Sequence, residues 1–124
     1  MRTRKLNVDS CPNKEGCPVE YTLSIIGGKW KSILLYHMID SDKRFNEFRR
    51  ICPDITQRML TLQLRELEND GIVHREVYKQ IPPKVEYSLT ELGRTLVPII
   101  LQMKAWGEAN RSLPSPISIK KDTM

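Results

Sequence analysis

Three cysteines, Cys11, Cys17 and Cys52, are the residues of this 124-residue sequence most able to form or break covalent bonds. A thiolate is the nucleophile that reacts with oxidants and electrophiles, and nearby positive charge favours it. Cys17 directly precedes Pro18, a residue favoured in the first turn of a helix, so it would lie where a helix start carries partial positive charge. We therefore regard Cys17 as the redox-sensing candidate. The alternative is a buried, unreactive thiol that fits the helix start.

The remaining chemistry of the cysteines and histidines is limited. Cys52 ends an apolar stripe and is expected in the core. Cys11 and Cys17 are too far apart, and His37 and His74 too distant, for a typical zinc site, so we expect no metal and no cofactor. An odd cysteine count without an apolar segment after the basic start predicts a cytoplasmic protein. No stretch approaches the roughly 18 apolar residues of a membrane span.

A second group of side chains, mostly polar or basic, shares one side of a predicted helix. Thr56 is a good N-cap and Gly71 a good helix stop, so a helix is predicted between them. At about 100° per residue, one arc of about 100° collects Gln57, Arg58, Thr61, Arg65 and Glu68. The other side collects Met59, Leu60, Leu64 and Leu67. Arginine can form paired hydrogen bonds with guanine and glutamine with adenine. The alternative is an ordinary amphipathic surface helix.

Basic residues collect near the end of a predicted β-hairpin. Arg75, Lys79 and Lys84 lie on and beside its tip, and no acidic residue occurs among residues 77–85. Such clusters are often solvated surface. Here the cluster follows the polar helix in the chain. In DNA-binding proteins of this arrangement the hairpin after such a helix, called the wing, meets the DNA backbone or minor groove. Lys43 and Arg44, which directly precede the third helix, are further phosphate-binding candidates.

The helices that must position these residues follow from periodicity and capping. The first should start at Pro18 and stop at two glycines, with a stripe of Val19, Leu23 and Ile26. The second should pack through Trp30, Ile33, Leu34 and Met38. The third should begin after the N-cap Asn46 and end before Pro53, with Phe45 before the cap and a buried stripe of Phe48, Ile51 and Cys52.

The pattern after Gly71 changes from helix to strand. Strands are predicted over residues 72–77 and 85–89, joined by a tip at residues 78–84 that contains two prolines. Three helices, a turn, a fourth helix and a hairpin form the order of a winged helix-turn-helix. The predicted fold class is therefore mainly α with a small β-hairpin, with an N-terminal arm and a C-terminal dimerisation helix.

The last helix is predicted to run from the N-cap Thr90 to about Asn110, with a bend at Pro98. Its apolar residues follow the spacing of a heptad seam: Leu92, Leu96, Ile99, Met103 and Trp106. One short domain seldom needs so broad an apolar face, so we expect dimerisation through this helix. The alternative is that the helix only covers the core.

These elements divide the chain into four segments. We expect a flexible arm over residues 1–17, a winged helix-turn-helix over 18–89, a dimerisation helix over 90–112 and a flexible tail over 113–124. The net charge of +5 attracts polyanions without identifying one.

Four short motifs, in this order, resemble the HxlR-type family of winged-helix regulators. They are CPVE at residues 17–20 with IGGKW at 26–30, RFNEF at 44–48, TQRMLT at 56–61 with LRELE at 64–68, and PPKVEYSLTELG at 82–93. The resemblance covers about residues 17–110. It implies a homodimer that binds a palindromic operator without a cofactor, and in some members a sensing cysteine at the position of Cys17.

The sequence thus predicts a sequence-specific regulator of transcription, a homodimer on double-stranded DNA that responds to oxidants or electrophiles through Cys17. The residues expected at the DNA are Arg44, Thr56, Gln57, Arg58, Thr61, Arg65, Arg75, Lys79 and Lys84. The alternative is a winged-helix module that binds protein or RNA in a larger assembly. We do not expect this protein to be an enzyme, because the sequence shows no paired carboxylates, phosphate-binding glycine loop or Ser/His/Asp set. No membrane partner is expected, and the sequence identifies no small-molecule inducer.

Overall fold

The computed structural model describes residues 16–112 and divides them into six helices and two strands. In chain order these are α1 (Pro18–Ile26), α2 (Lys31–His37), α3 (Phe45–Ile51), α4 (Gln57–Asn69), β1 (Val73–Tyr78), β2 (Lys84–Leu89), α5 (Glu91–Arg94) and α6 (Val97–Asn110). This is the order of a winged helix-turn-helix, so the predicted mainly α fold with a small β-hairpin is confirmed. The predicted tail, and all but the last two residues of the predicted arm, lie outside the described residues.

The first helix, α1, has the predicted bounds but not the predicted packing. Cys17 is its N-cap in an extended backbone conformation, and Gly28, just past its end, has a φ of +81° that glycine adopts readily. Ile26 is buried, whereas Val19 and Leu23 are 66% and 59% exposed. The spacing does define an apolar stripe, but most of that stripe faces away from the core of its own chain.

The third helix, α3, begins earlier than predicted. Its N-cap is Arg44 rather than Asn46, and Phe45 is its first residue rather than the residue before the cap. The backbone N–H of Arg44 donates a hydrogen bond to Glu47 Oε1 at 2.7 Å. A carboxylate three residues further on therefore satisfies the start of the helix, and the Asn46 side chain is not needed there.

The stripes predicted for α2 and α3 are mostly buried. The second helix starts at Lys31 with Trp30 as its N-cap, and its side chains pack into the core with Phe48 and Cys52 of the α3 segment. Ile51 is an exception, because it is 39% exposed. It lies on the other side of Phe48 from Cys52, so that α3 turns it away from the core.

The fourth helix, α4, matches its prediction at both ends. Thr56 Oγ1 accepts a hydrogen bond from the Met59 N–H at 3.0 Å, and Gly71 beyond the C-terminus has a φ of +76°. Three leucines on one side are buried: Leu60, Leu64 and Leu67. Met59, which was expected on this packed side, is 37% exposed because it lies at the edge of the stripe.

The hairpin pairs β1 and β2 antiparallel over six residue pairs, from Val73 opposite Leu89 to Tyr78 opposite Lys84. Both strands lie within a residue of their predicted bounds. The hairpin also gains a short third partner, because Lys43 exchanges two backbone hydrogen bonds with Tyr87, at 3.0 and 2.8 Å. This bridge, which attaches the segment before α3 to the hairpin, was not predicted from the sequence.

The predicted single last helix is two helices. Thr95 and Leu96 separate α5 from α6, and Pro98 lies in the first turn of α6 instead of bending a continuous helix. Proline has no N–H to donate to the carbonyl four residues earlier, here that of Arg94, so the chain stops one helix and starts another. Thr90 caps α5 as predicted, with Oγ1 accepting from the Gly93 N–H at 2.9 Å.

Gly93→Ala should destabilise the fold. A Cβ at this position would overlap the carbonyl oxygen of Ile72, and Thr90 fixes the same turn by donating to the Gly71 carbonyl at 2.6 Å. We expect the free energy of unfolding, measured by urea denaturation, to fall by about 1–3 kcal/mol, as for other overpacked sites.

Gly107→Ala is the matched control, since this helical glycine has nothing within 4 Å of an added Cβ. It should leave stability unchanged or raise it by up to about 1 kcal/mol, because alanine restricts the unfolded chain. Similar losses in the two variants would contradict the close approach of α5 to Ile72.

Candidate DNA interface

The outer side of α4 gathers most of the residues that the sequence predicts to read DNA. Because the three buried leucines hold α4 against the core, the other side faces outward. One shallow surface depression is lined by Gln57, Arg58, Thr61, Leu62 and Arg65. Four residues of the predicted set therefore share a surface.

The two threonines of the predicted set are partly used by the helix itself. The Thr56 hydroxyl oxygen caps the helix by accepting from the Met59 N–H, and Thr61 Oγ1 donates to the Gln57 carbonyl oxygen at 2.9 Å. Thr56 therefore keeps an O–H donor, and Thr61 keeps its acceptor lone pairs and its methyl group. A ligand can use only these remaining groups.

The arginines of this surface form no ion pair in the part of the chain that the structure describes: none joins Arg58, Arg65 or Arg75 to a carboxylate. Arg75 on β1 and Arg65 on α4 line one small polar depression between the hairpin and the helix, together with Glu68. The structure thus brings Arg75 to the edge of the α4 surface.

The remaining basic candidates lie at the hairpin tip or at the start of α3. Lys79 is exposed in the tip and has no ion pair within the described part of the chain. Lys84 Nζ lies 3.5 Å from Glu86 Oε2 and 4.9 Å from the centre of the Tyr78 ring. Arg44 is exposed at the start of α3, next to the residue that pairs with β2.

Three exposed residues of this region were not predicted from the sequence. Leu62 is 46% exposed and lines the same depression as Arg58 and Arg65. A helical-wheel projection of every residue of α4 places Leu62 beside Arg58. Arg49 and Arg50 are exposed in the last turn of α3, and their proximity in sequence to Arg44 was the available signal.

Most residues of the predicted dimer seam form an exposed apolar surface on the chain. Leu92, Ile99, Met103 and Trp106 are between 43% and 70% exposed, while Leu96 packs partly against the core. α1 adds exposed apolar residues that were expected to be internal: Val19, Tyr21 and Leu23. An apolar groove between α2 and α6 is lined by Ile33, Tyr36, Ile100 and Met103, among others.

The two described cysteines differ in environment. Cys17 is half-buried at the N-cap of α1, the position predicted for it. Cys52 is buried in the core, as predicted, and burial raises the pKa of its thiol because the thiolate would be poorly solvated there. Cys11 lies outside the described residues.

Two other kinds of site are absent from residues 16–112. No group of three or more His, Cys, Asp or Glu side chains is arranged to hold a metal ion in this part of the chain. No helix in the same range is long and apolar enough to cross a bilayer.

A helix with an outward polar face, joined through a tight turn to α3 and followed by a basic hairpin, defines a winged-helix DNA-binding protein. The family model of the HxlR-like helix-turn-helix matches residues 25–114. The chain belongs to this family.

Similar proteins agree with this assignment. The HTH-type transcriptional regulator YybR of Bacillus subtilis (strain 168) is 82% identical over 102 residues, which are 82% of each chain. YdeP of the same organism, also an HTH-type transcriptional regulator, is 75% identical over 109 residues, covering 87% of this chain and 85% of its own. This chain is therefore a transcriptional regulator of the helix-turn-helix type.

Solved structures of the redox regulator HypR are also similar. The oxidized form has a TM-score of 0.76 at 81% identity and covers 78% of this chain and 100% of its own. The reduced form has a TM-score of 0.74 at 83% identity and covers 76% of this chain and 93% of its own.

Lys79→Ala should lower the salt dependence of DNA binding more than Lys84→Ala does. Lys79 has no ion pair within residues 16–112, whereas Lys84 is already close to Glu86. Each lost phosphate contact lowers the slope of log K against log salt by about one. Binding to one duplex, measured by fluorescence anisotropy between low and moderate salt, gives the slopes. A slope unchanged in Lys79→Ala would place this lysine away from the DNA.

Proposed function

We propose that this chain regulates transcription as a homodimer that binds a palindromic operator, with α4 as its recognition helix. The observation that carries this proposal is the outward face of α4, where Arg58 and Arg65 form no ion pair with an acid of residues 16–112. A guanidinium without a carboxylate partner can form paired hydrogen bonds with guanine at no cost of breaking an ion pair.

Each part of the α4 surface has a role in this proposal. Gln57, Arg58 and Arg65 contact base edges in the major groove, and Thr61 accepts a hydrogen bond or contacts a thymine methyl. Leu62 adds a further apolar contact of the kind that thymine methyls make. Thr56, at the N-terminus of the helix, donates its hydroxyl to a phosphate that the free N–H groups there also favour.

The basic residues outside α4 position the protein on the duplex. Arg75, Lys79 and Lys84 contact the backbone or minor groove on one side of the recognition helix, and Arg44 contacts phosphate beside α3. Arg49 and Arg50 join this set, because the helix before a recognition helix crosses the DNA backbone. Such contacts fix register without carrying sequence information.

The dimer in this proposal forms through the exposed apolar residues of α6 and α1. An apolar surface of this kind on a small chain is the usual mark of a protein interface. Support comes from α1, whose Val19 and Leu23 are too exposed to serve its own core. A two-fold dimer presents two recognition helices, which matches a palindromic operator.

We also propose that Cys17 makes the regulator responsive to oxidants or electrophiles. Its N-cap position places the thiolate near the partial positive charge of α1, and it is more exposed than Cys52. The similar HypR is described as a redox regulator and has been solved in oxidized and reduced forms. Oxidation of two thiols to a disulfide would pair Cys17 with Cys11 or with a cysteine of the partner chain and would perturb α1.

The base-reading role is tested with the duplex that the wild-type protein selects from a random pool. Arg65→Ala and Gln57→Ala should each weaken binding to this operator by about 1–3 kcal/mol and leave binding to a scrambled duplex almost unchanged. Equal losses on the two duplexes would contradict base reading. A wild-type protein that prefers RNA, or no nucleic acid, would support the alternative of a module in a larger assembly.

Ile99→Glu should dissociate the dimer, because it would bury a carboxylate without a partner in the apolar interface. Sedimentation velocity should show monomer, or unfolded chain if folding requires the dimer. Ala105→Glu is the matched control, since it adds the same charge to the same helix on a different face. A folded dimer of unchanged stability in Ile99→Glu would refute the interface.

The Cys17 proposal predicts a thiol pKa below the usual value of about 8.5. The pH dependence of the alkylation rate should show this in a variant with Cys11 and Cys52 replaced by Ser. In the matched variant that keeps only Cys52, the thiol should titrate at higher pH, since burial raises the pKa of that thiol. Diamide should change operator affinity in the wild type but not in Cys17→Ser. A Cys17 that titrates near 8.5 or above, with affinity unchanged by diamide, would end the sensing proposal.

A further inference from the structure

Lys31 is the one charged residue that is buried in the part of the chain the structure describes, with 8% of its surface exposed. Its Nζ lies 2.8 Å from Glu66 Oε1, which joins the start of α2 to the C-terminal half of α4. Lys31 is also the first residue of α2, where the partial positive charge of the helix start disfavours a cation. The site is therefore an unfavourable one for an ammonium group.

Stability alone does not account for a lysine at this place. Burying the Lys31 ammonium costs desolvation free energy, and its contact with the half-exposed Glu66 carboxylate offsets only part of that cost. A better attested benefit of a polar contact that involves a buried charge is that it selects one geometry among several. The geometry that this pair selects is the orientation of α4.

Glu66 occupies the edge of α4 between its packed side and its outward side. At about 100° per residue it lies about 100° from Arg65 of the outward side and about 100° from Leu67 of the packed side. Leu60, Leu64 and Leu67 form one apolar stripe, and apolar contacts are non-directional, so the stripe resists a rotation of about 20° much less than it resists turning the helix over. A directed contact at the helix edge resists such rotation.

We propose that Lys31 and Glu66 are positioning residues that fix the rotation of α4 and thereby the discrimination between operator and other DNA. This inference rests on the proposed base reading by α4. A rotation of about 20° would move a side-chain end at a radius of about 5–6 Å by about 2 Å. That displacement is enough to break a hydrogen bond to a base.

The α2 end of the pair is itself firmly held. Ser32 Oγ donates a hydrogen bond to the Ile26 carbonyl at 2.9 Å, which ties the start of α2 to the end of α1. Leu34 and Leu35 of the same helix are fully buried. Lys31 therefore projects from a fixed support, and its contact with Glu66 can constrain α4 relative to that support.

The test compares the dissociation constants of Lys31→Met for the selected operator and for a scrambled duplex. Methionine fills the buried space, and Glu66, with 44% of its side chain exposed, stays solvated, so the variant should fold. We expect the ratio of the two constants to fall at least tenfold, with the constant for the scrambled duplex nearly unchanged. A purely structural role would lower the active fraction and shift both constants equally, so it would leave the ratio as it is.

Lys29→Met is the matched control. It removes the same charge two residues earlier, from an exposed side chain that lies over the Trp30 ring and has no ion pair within residues 16–112. Its discrimination ratio should equal that of the wild type. A loss of discrimination in this control as large as that in Lys31→Met would attribute the effect to net charge and overturn the proposal.

A double-mutant cycle isolates the pair itself. Lys31→Met, Glu66→Gln and the double variant should lose discrimination to the same extent, because either change removes the one contact. Additive losses, or an unchanged ratio in Lys31→Met, would overturn the inference. A wild-type protein that does not discriminate between the two duplexes would instead refute the base reading on which the inference rests.

Discussion

The burial of three leucines on one side of α4 is the constraint on which the rest of this structure depends. Fully burying a leucine stabilises a protein by about 1.5–3 kcal/mol, so turning α4 over would forfeit on the order of 5–9 kcal/mol. That is comparable with the whole stability of a small domain. The polar and basic side of the helix is therefore held outward by the core, whatever it binds.

Features that short stretches of sequence determine were predicted well. The ends of α4 follow from Thr56 and Gly71, which act within one turn of themselves, and the hairpin follows from alternation and two prolines. The outward residues of α4 follow from the same periodicity as the leucines. The amino-acid sequence alone is therefore enough to predict the fold class and most of the candidate site.

The errors come from competition between local signals and from partners that a pattern does not name. Both Asn46 and Glu47 could satisfy the start of α3, and the carboxylate reaches back to the Arg44 N–H, which shifts the start by two residues. Pro98 could bend a helix or begin one. The stripe of α1 was recognised, but periodicity indicates an apolar face without stating what covers it. The Lys43–Tyr87 bridge uses only backbone atoms, so the pattern of side chains could not predict it.

That backbone bridge bears on how relatives of this protein can diverge. Because main-chain atoms make both hydrogen bonds, a substitution at Lys43 need not disturb the attachment of the wing to the segment before α3. The backbone frame that carries the exposed side chains thus does not depend on which residue types those side chains are. Within a family built on such a frame, single substitutions on α4 or at the wing tip can change the exposed side chains without any rearrangement of the fold. The scaffold can remain constant through evolution while the set of regulated genes changes.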